Sequence, residues 1–125
     1  YSNKKAKELN LANQVEFNPW LQRPHLKQAT EDAGAKLMAY SPLARGHKVD
    51  DPELGAIAER LGCTPAQVAI KFCYDEGCIT IPKSSNPSRI IENFASLEID
   101  ISGEIDAIRA LECNYVSGWD PTTQP

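Results

Sequence analysis

A chain of 125 residues is long enough for one domain with its own core, and about half as long as an eight-stranded α/β barrel. Hydrophobic residues at 42% and charged residues at 24% are the balance of an ordinary globular protein and exclude a disordered one. A net charge of −4 argues against nucleic-acid and anionic-membrane partners, and no apolar run approaches the roughly 20 residues that cross a bilayer.

The first residues, Tyr1-Ser2-Asn3-Lys4-Lys5, lack the apolar stretch of a signal peptide. They also lack a starting Met, as expected of a processed chain or of a piece of something longer. Cys63, Cys73, Cys78 and Cys113 form neither a CxxC pair nor a secreted disulfide framework, and His25 and His47 are distant from them. The expectation is free thiols in a reducing cytosol, with no metal site.

The first predicted element is a strand over residues 13–17, where Val15 and Phe17 alternate with Gln14 and Glu16 before Pro19. A helix follows over residues 24–33, with Leu26, Ala29 and Ala33 on one face and Gly34 as its stop. The second strand is Lys36 to Tyr40, ended by Ser41-Pro42. After an Asp51 cap, Pro52 to Leu61 places Leu54, Ile57, Ala58 and Leu61 at helical spacing before Gly62. Thr64-Pro65-Ala66-Gln67 reads as a capping box with Pro at the first helical position, opening a helix that stops at Gly77. A third strand over residues 78–81 ends at Pro82. Asn86-Pro87 opens a helix through Phe94, Ser102 begins the last helix, and residues 114–125 read as a loop-like tail. This alternation implies parallel strands joined by helical crossovers, the α/β class. Three such strands leave two open edges, so the whole chain, residues 1–125, reads as one slice of a larger sheet. An open doubly wound sheet is the other possibility, although no Gly-rich turn follows any strand.

Three segments carry candidate chemistry. In Ile81-Pro82-Lys83-Ser84-Ser85-Asn86-Pro87-Ser88-Arg89, the loop between strand and helix offers an ammonium, hydroxyls and the unpaired N–H groups of a helix start, a set suited to phosphate. Arg89, Glu92 and Asn93 share the polar face of that helix, while Ile90, Ile91 and Phe94 are expected to dock on the sheet. The plainer reading is a well-capped amphipathic helix whose polar face is wet. The segment Ala39-Tyr40-Ser41-Pro42-Leu43-Ala44-Arg45-Gly46 lies at a strand's C-terminal end, where Tyr40 would stack on a flat ring or pack in a barrel mouth. In Asn13 to Trp20, Gln14 and Glu16 point to one face; Gln14 would offer its amide to a ligand or to a neighbour in the core.

Taken together, "NQVEFNPW", "AYSPLARG", "TPAQVAI" and "IPKSSNPSRIIEN" resemble, in this order and separation, the sixth to eighth strand regions of the aldo-keto reductases. The resemblance covers about residues 10 to 115. It implies part of an eight-stranded (β/α)8 TIM barrel, NADP(H) as cofactor and a small-molecule aldehyde or ketone as substrate. It assigns Gln14 to the nicotinamide carboxamide, Tyr40 to stacking on the nicotinamide, and Ser41 and Leu43 to the pyrophosphate. Lys83, Ser84 and Arg89 would hold the 2′-phosphate, Glu92 and Asn93 would reach the adenine, and Trp20 and Trp119 would wall the substrate rim. Family members often have His where Asn18 stands, with little expected consequence for the cofactor. The family's catalytic Asp, Tyr, Lys and His lie on earlier strands that have no match here, and Ser2-Asn3 reads as a chance likeness to a fifth-strand pair. The implied protein is a cytoplasmic oxidoreductase completed by a missing N-terminal half. The alternative is a non-catalytic truncated fragment that self-associates through its open strand edges.

Overall fold

The structure, a computed structural model, describes residues 5, 8–120 and 123. Its centre is a three-stranded parallel sheet in the order β1-β2-β3, formed by Ala12–Glu16, Lys36–Tyr40 and Ile79–Thr80. Helix α1 (Pro24–Asp32) joins β1 to β2, while α2 (Pro52–Leu61) and α3 (Pro65–Asp75) join β2 to β3. Helices α4 (Pro87–Ala95) and α5 (Ile105–Arg109) follow the last strand.

The helix boundaries follow from local chemistry. Asp51 accepts from the Glu53 and Leu54 N–H groups, and Gly62 closes α2 at φ 68°, a left-handed conformation that costs glycine little. At α3 the capping box is complete in both directions between Thr64 and Gln67. Helix α1 has no such cap and starts from Arg23 in a left-handed conformation with Pro24 as its first residue. The last helix begins as a 3-10 turn over Ser102–Glu104 and turns α-helical only at Ile105.

Two strands are displaced from their predicted spans. β1 runs one residue earlier than expected, although the Phe17 N–H still donates to the Tyr40 carbonyl at 3.3 Å. β3 is only Ile79–Thr80, although the Ile81 N–H reaches the Ala39 carbonyl at 3.1 Å. Pro82 has no N–H to extend that ladder, and among the described residues β3 pairs with β2 alone.

The core lies on one face of the sheet. Val15, Phe17, Leu37 and Ala39 pack with Leu54, Ile57 and Ala58 of α2 and Val68, Ala69 and Phe72 of α3. The Phe17 and Phe72 rings stack at 6.1 Å. On the opposite face the register sets Gln14 beside Met38 and Glu16 beside Tyr40, so Gln14 and Glu16 do share a side. That second face is bare over Gln14, which is exposed.

One expectation fails. Ile90, Ile91 and Phe94 do not dock on the sheet; they are 51%, 72% and 75% exposed, and α4 buries no residue completely. The α4 helix stands beside the unpaired edge of β3, with an apolar cavity of about 910 Å³ between them lined by Ile70, Tyr74, Ile79, Ile90, Phe94 and others. Nothing among the described residues fills it.

All four cysteines are free. Burial pushes the Cys78 thiol up to about 11 and holds Cys73 well above its ordinary value, while Cys113 is exposed. A thiol with a raised folded value favours the fold below its unfolded pKa and loses that contribution as pH climbs through the folded one. Resistance to urea is therefore expected to fall between pH 9.0 and about 11, and Cys78→Ala to flatten the fall. A thiol reagent at pH 8 is expected to label Cys113 first and Cys73 only on unfolding; rapid labelling of Cys73 in the folded chain would contradict this packing.

Candidate functional site

Strand β3 ends at Thr80, and the loop that follows runs through Pro82 and carries Lys83 and Ser84 to the start of α4. The Asn86 side chain caps this helix, accepting from the Ser88 N–H at 3.0 Å and, more weakly, the Arg89 N–H at 3.4 Å. Pro87 has no N–H, and the Ile90 N–H is already bonded to the Asn86 carbonyl. The helix start therefore has no free N–H group for an anion, contrary to the sequence expectation; the side chains must supply the donors.

They are placed to do so. Lys83, Ser84 and Arg89 line one cavity of about 530 Å³ together with Glu92 and Asn93. Its opposite wall comes from the turn after β2, with Leu43, Gly46 and Val49, and from Ala66 in the first turn of α3. Six of the predicted cofactor residues thus meet around one space: Leu43, Lys83, Ser84, Arg89, Glu92 and Asn93. Two cations and a hydroxyl stand with a carboxylate and a carboxamide, a donor and acceptor set fitted to a phosphorylated nucleotide. Ser84 Oγ also receives the Asn86 N–H at 3.1 Å, which fixes the loop that carries it.

The other three lie elsewhere. Gln14 and Tyr40 are on the second face of the sheet, on the adjacent strands β1 and β2, with Gln14 exposed and Tyr40 half-buried. Ser41 sits at φ 49° in the turn between them and the cavity. Trp20 corrects an expectation: it is 2% exposed, packed in the core with Nε1 donating to Asp51 at 3.2 Å, so it walls no rim. Trp119 is 64% exposed on the tail. Ser2 and Asn3 lie outside the described residues.

Sequence reading missed two braces. Asn18, fully buried, donates from Nδ2 to the Ser41 carbonyl at 3.2 Å and accepts the Trp20 N–H at 3.1 Å. It thereby holds the turn that carries Ser41 and Leu43. Glu16, 1% exposed, accepts from the Ser117 N–H at 3.0 Å and from the Ser117 hydroxyl, pinning the tail across the sheet end. Arg23 meets Asp120 at 3.4 Å, and the Tyr115 hydroxyl lies 3.0 Å from His47 Nδ1. Gly118 lies against Arg45: a Cβ there would come within 2.6 Å of its guanidinium. A buried carboxylate at an alternating strand position was the available signal for the Glu16 brace.

Among the described residues no helix is long and apolar enough to cross a membrane, and no group of three or more His, Cys, Asp or Glu residues is placed to hold a metal.

A parallel sheet with crossover helices, and a candidate site at the C-terminal ends of its strands, defines an unclosed part of a (β/α)8 barrel. The chain belongs to the aldo/keto reductase family, whose model matches residues 2–112 and so takes in Ser2 and Asn3. It is 41% identical over 112 residues to an aldo-keto reductase of Mycolicibacterium smegmatis, covering 89% of this chain and 41% of the relative. It is 43% identical over 105 residues to aldose reductase B of Dictyostelium discoideum, covering 82% and 34%. Among solved structures, an Asp-to-Ala mutant of Gox0644 in complex with NADPH matches with a TM-score of 0.83 at 32% identity, over 92% of this chain and 43% of that one. The chain spans well under half the length of each of these relatives.

Proposed function

We propose that this chain is the C-terminal, NADP(H)-binding part of an oxidoreductase barrel, from the sixth strand to the tail, that reduces a small aldehyde or ketone. The observation that carries the reading is the meeting of Lys83, Ser84 and Arg89 with Glu92 and Asn93 around one cavity. A 2′-phosphate needs neutralising charge, which Lys83 and Arg89 supply, and this favours NADP(H) over NAD(H). The NADPH complex of the solved relative and the aldose reductase name of the Dictyostelium one support it.

When bound, the dinucleotide supplies the hydride. This chain's residues hold it: Lys83, Ser84 and Arg89 the 2′-phosphate, Glu92 and Asn93 the adenine. Leu43 and Ser41 flank the pyrophosphate on the turn that Asn18 braces. Tyr40 stacks on the nicotinamide and Gln14 meets its carboxamide, both on the second face of the sheet. Trp119 borders the carbonyl substrate. The proton donor and its partners come from strands outside this chain, so these residues position the cofactor and do not complete a catalytic centre.

Titration of the isolated chain with NADPH is expected to change its tryptophan fluorescence saturably, and at lower concentration than NADH does. The same chain is expected to reduce no generic aldehyde. Equal response to both nucleotides would remove the 2′-phosphate assignment, while turnover would remove the claim of an absent proton donor.

A second reading is favoured by the exposure of Ile91 and Phe94 beside an unpaired strand edge. In it the chain is a truncated, non-catalytic fragment that self-associates over this apolar surface.

A further inference from the structure

The start of α3 does more than cap its own helix. Thr64 Oγ1 donates to Glu92 Oε1 at 2.7 Å, and Gln67 Nε2 donates to the Glu92 main-chain carbonyl at 3.0 Å. The same two residues close the capping box on each other: Gln67 N–H to Thr64 Oγ1 at 3.2 Å, and Thr64 N–H to Gln67 Oε1 at 3.1 Å. The Thr64 hydroxyl thus accepts from one helix and donates to another, a use of both its capacities. The box grips α4 at one residue, by its side chain and by its backbone. That residue lines the cavity, and Ala66, between Thr64 and Gln67, lines it too.

The consequence for Glu92 is orientation. A glutamate on a helix surface has three rotatable bonds and samples many directions in water. With Oε1 fixed by Thr64, the carboxylate is held in one place, and Oε2 takes no hydrogen bond from any described residue. An ionised carboxylate only accepts. A base that offers an amino group is therefore matched to it, and a base with a carbonyl at the same place is repelled by it.

We propose that Thr64 is a positioning residue for nucleobase selection: through its hydrogen bond to Glu92 it sets the acceptor that distinguishes the 6-amino group of adenine from the 6-carbonyl of hypoxanthine. This rests on the NADP(H) reading above. It adds a specificity determinant from a different helix, 28 residues away in sequence from the carboxylate it directs.

The test compares NADPH with its reduced hypoxanthine analogue, titrated into the chain and its variants. The unmodified chain is expected to prefer NADPH by about 10-fold, the scale of a hydrogen bond to a charged group. Thr64→Ser, which keeps acceptor and donor, should keep the ratio. Thr64→Asp still caps α3 but cannot donate to Glu92, and should cut the ratio at least 3-fold. Using the ratio cancels any loss of affinity common to both nucleotides. A second measurement needs no nucleotide: the urea-midpoint cost of Thr64→Val should shrink when remeasured in a Glu92→Ala background. An undiminished cost would overturn the Thr64–Glu92 link. Preference for NADPH left intact in Thr64→Asp would overturn the selection role while leaving the cofactor reading in place. Absence of binding to either nucleotide, with the stability coupling present, would instead remove the cofactor reading and the selection role with it, leaving only a structural clamp.

Discussion

Lys83→Ala and Arg89→Ala are each expected to weaken NADPH binding by about 10-fold, and the double variant to bind NADPH no better than NADH. Both side chains are exposed at the edge of the same cavity, so water and salt screen them, and neither has an ion pair among the described residues to break first. Hydrogen bonds to charged groups contribute about 1.5–3 kcal/mol when well formed, and the exposed setting argues for the lower end, near one factor of ten. Because Asn86 already occupies the helix N–H groups, no backbone donor stands ready to compensate for a lost side chain. NADH affinity should hardly change in either variant, since NADH lacks the 2′-phosphate that these residues are proposed to hold. Raising the salt concentration should erode the preference for NADPH. Calorimetric titration of both nucleotides measures all of this, and a uniform loss for NADPH and NADH would place the two cations elsewhere on the ligand.

Sedimentation of the isolated chain is expected to show dimers or larger species, and the pair Ile91→Lys and Phe94→Lys to shift them to monomer with at least a tenfold weaker association. Among the described residues both sheet edges are open, because β1 and β3 each pair only with β2. Beside one edge stand Ile79 and Ile81, each 39% exposed, and the apolar face of α4. Apolar area of this kind costs about 25 cal/mol per Å² left in water, enough to favour covering it by any complementary surface. Two charges on α4 make that cover unfavourable without touching the core, since neither residue is buried. A compact monomer for the unmodified chain would defeat the expectation outright.

Much of this molecule is written locally. Asp51, Thr64 and Asn86 lie within three residues of the N–H groups they accept from, so each helix start is visible in a few letters. The period of two at Gln14 to Phe17 correctly separates a core face from the other one, because side chains on a strand must alternate. The meeting of Lys83, Ser84 and Arg89 around one cavity was equally legible, since a loop and one helical turn hold them together. Trp20 was misjudged for the opposite reason. Its burial depends on Asp51 and on the core elements that cover it, and a run of eight letters does not record those. The apolar face of α4 was misjudged because amphipathic spacing shows that a face wants cover, not that this chain provides it.

What the sequence by itself determined is the set of elements, their caps, the faces of the strands and the charge placed after β3, all of which follow from neighbours a few residues apart. Only the tertiary structure decided that Glu16 holds Ser117, 101 residues on, that the Thr64 hydroxyl donates to Glu92, and that Asn18 braces the Ser41 turn. A hydrogen bond depends on positions in space to within a few tenths of an ångström, and folding alone brings such distant residues to that separation.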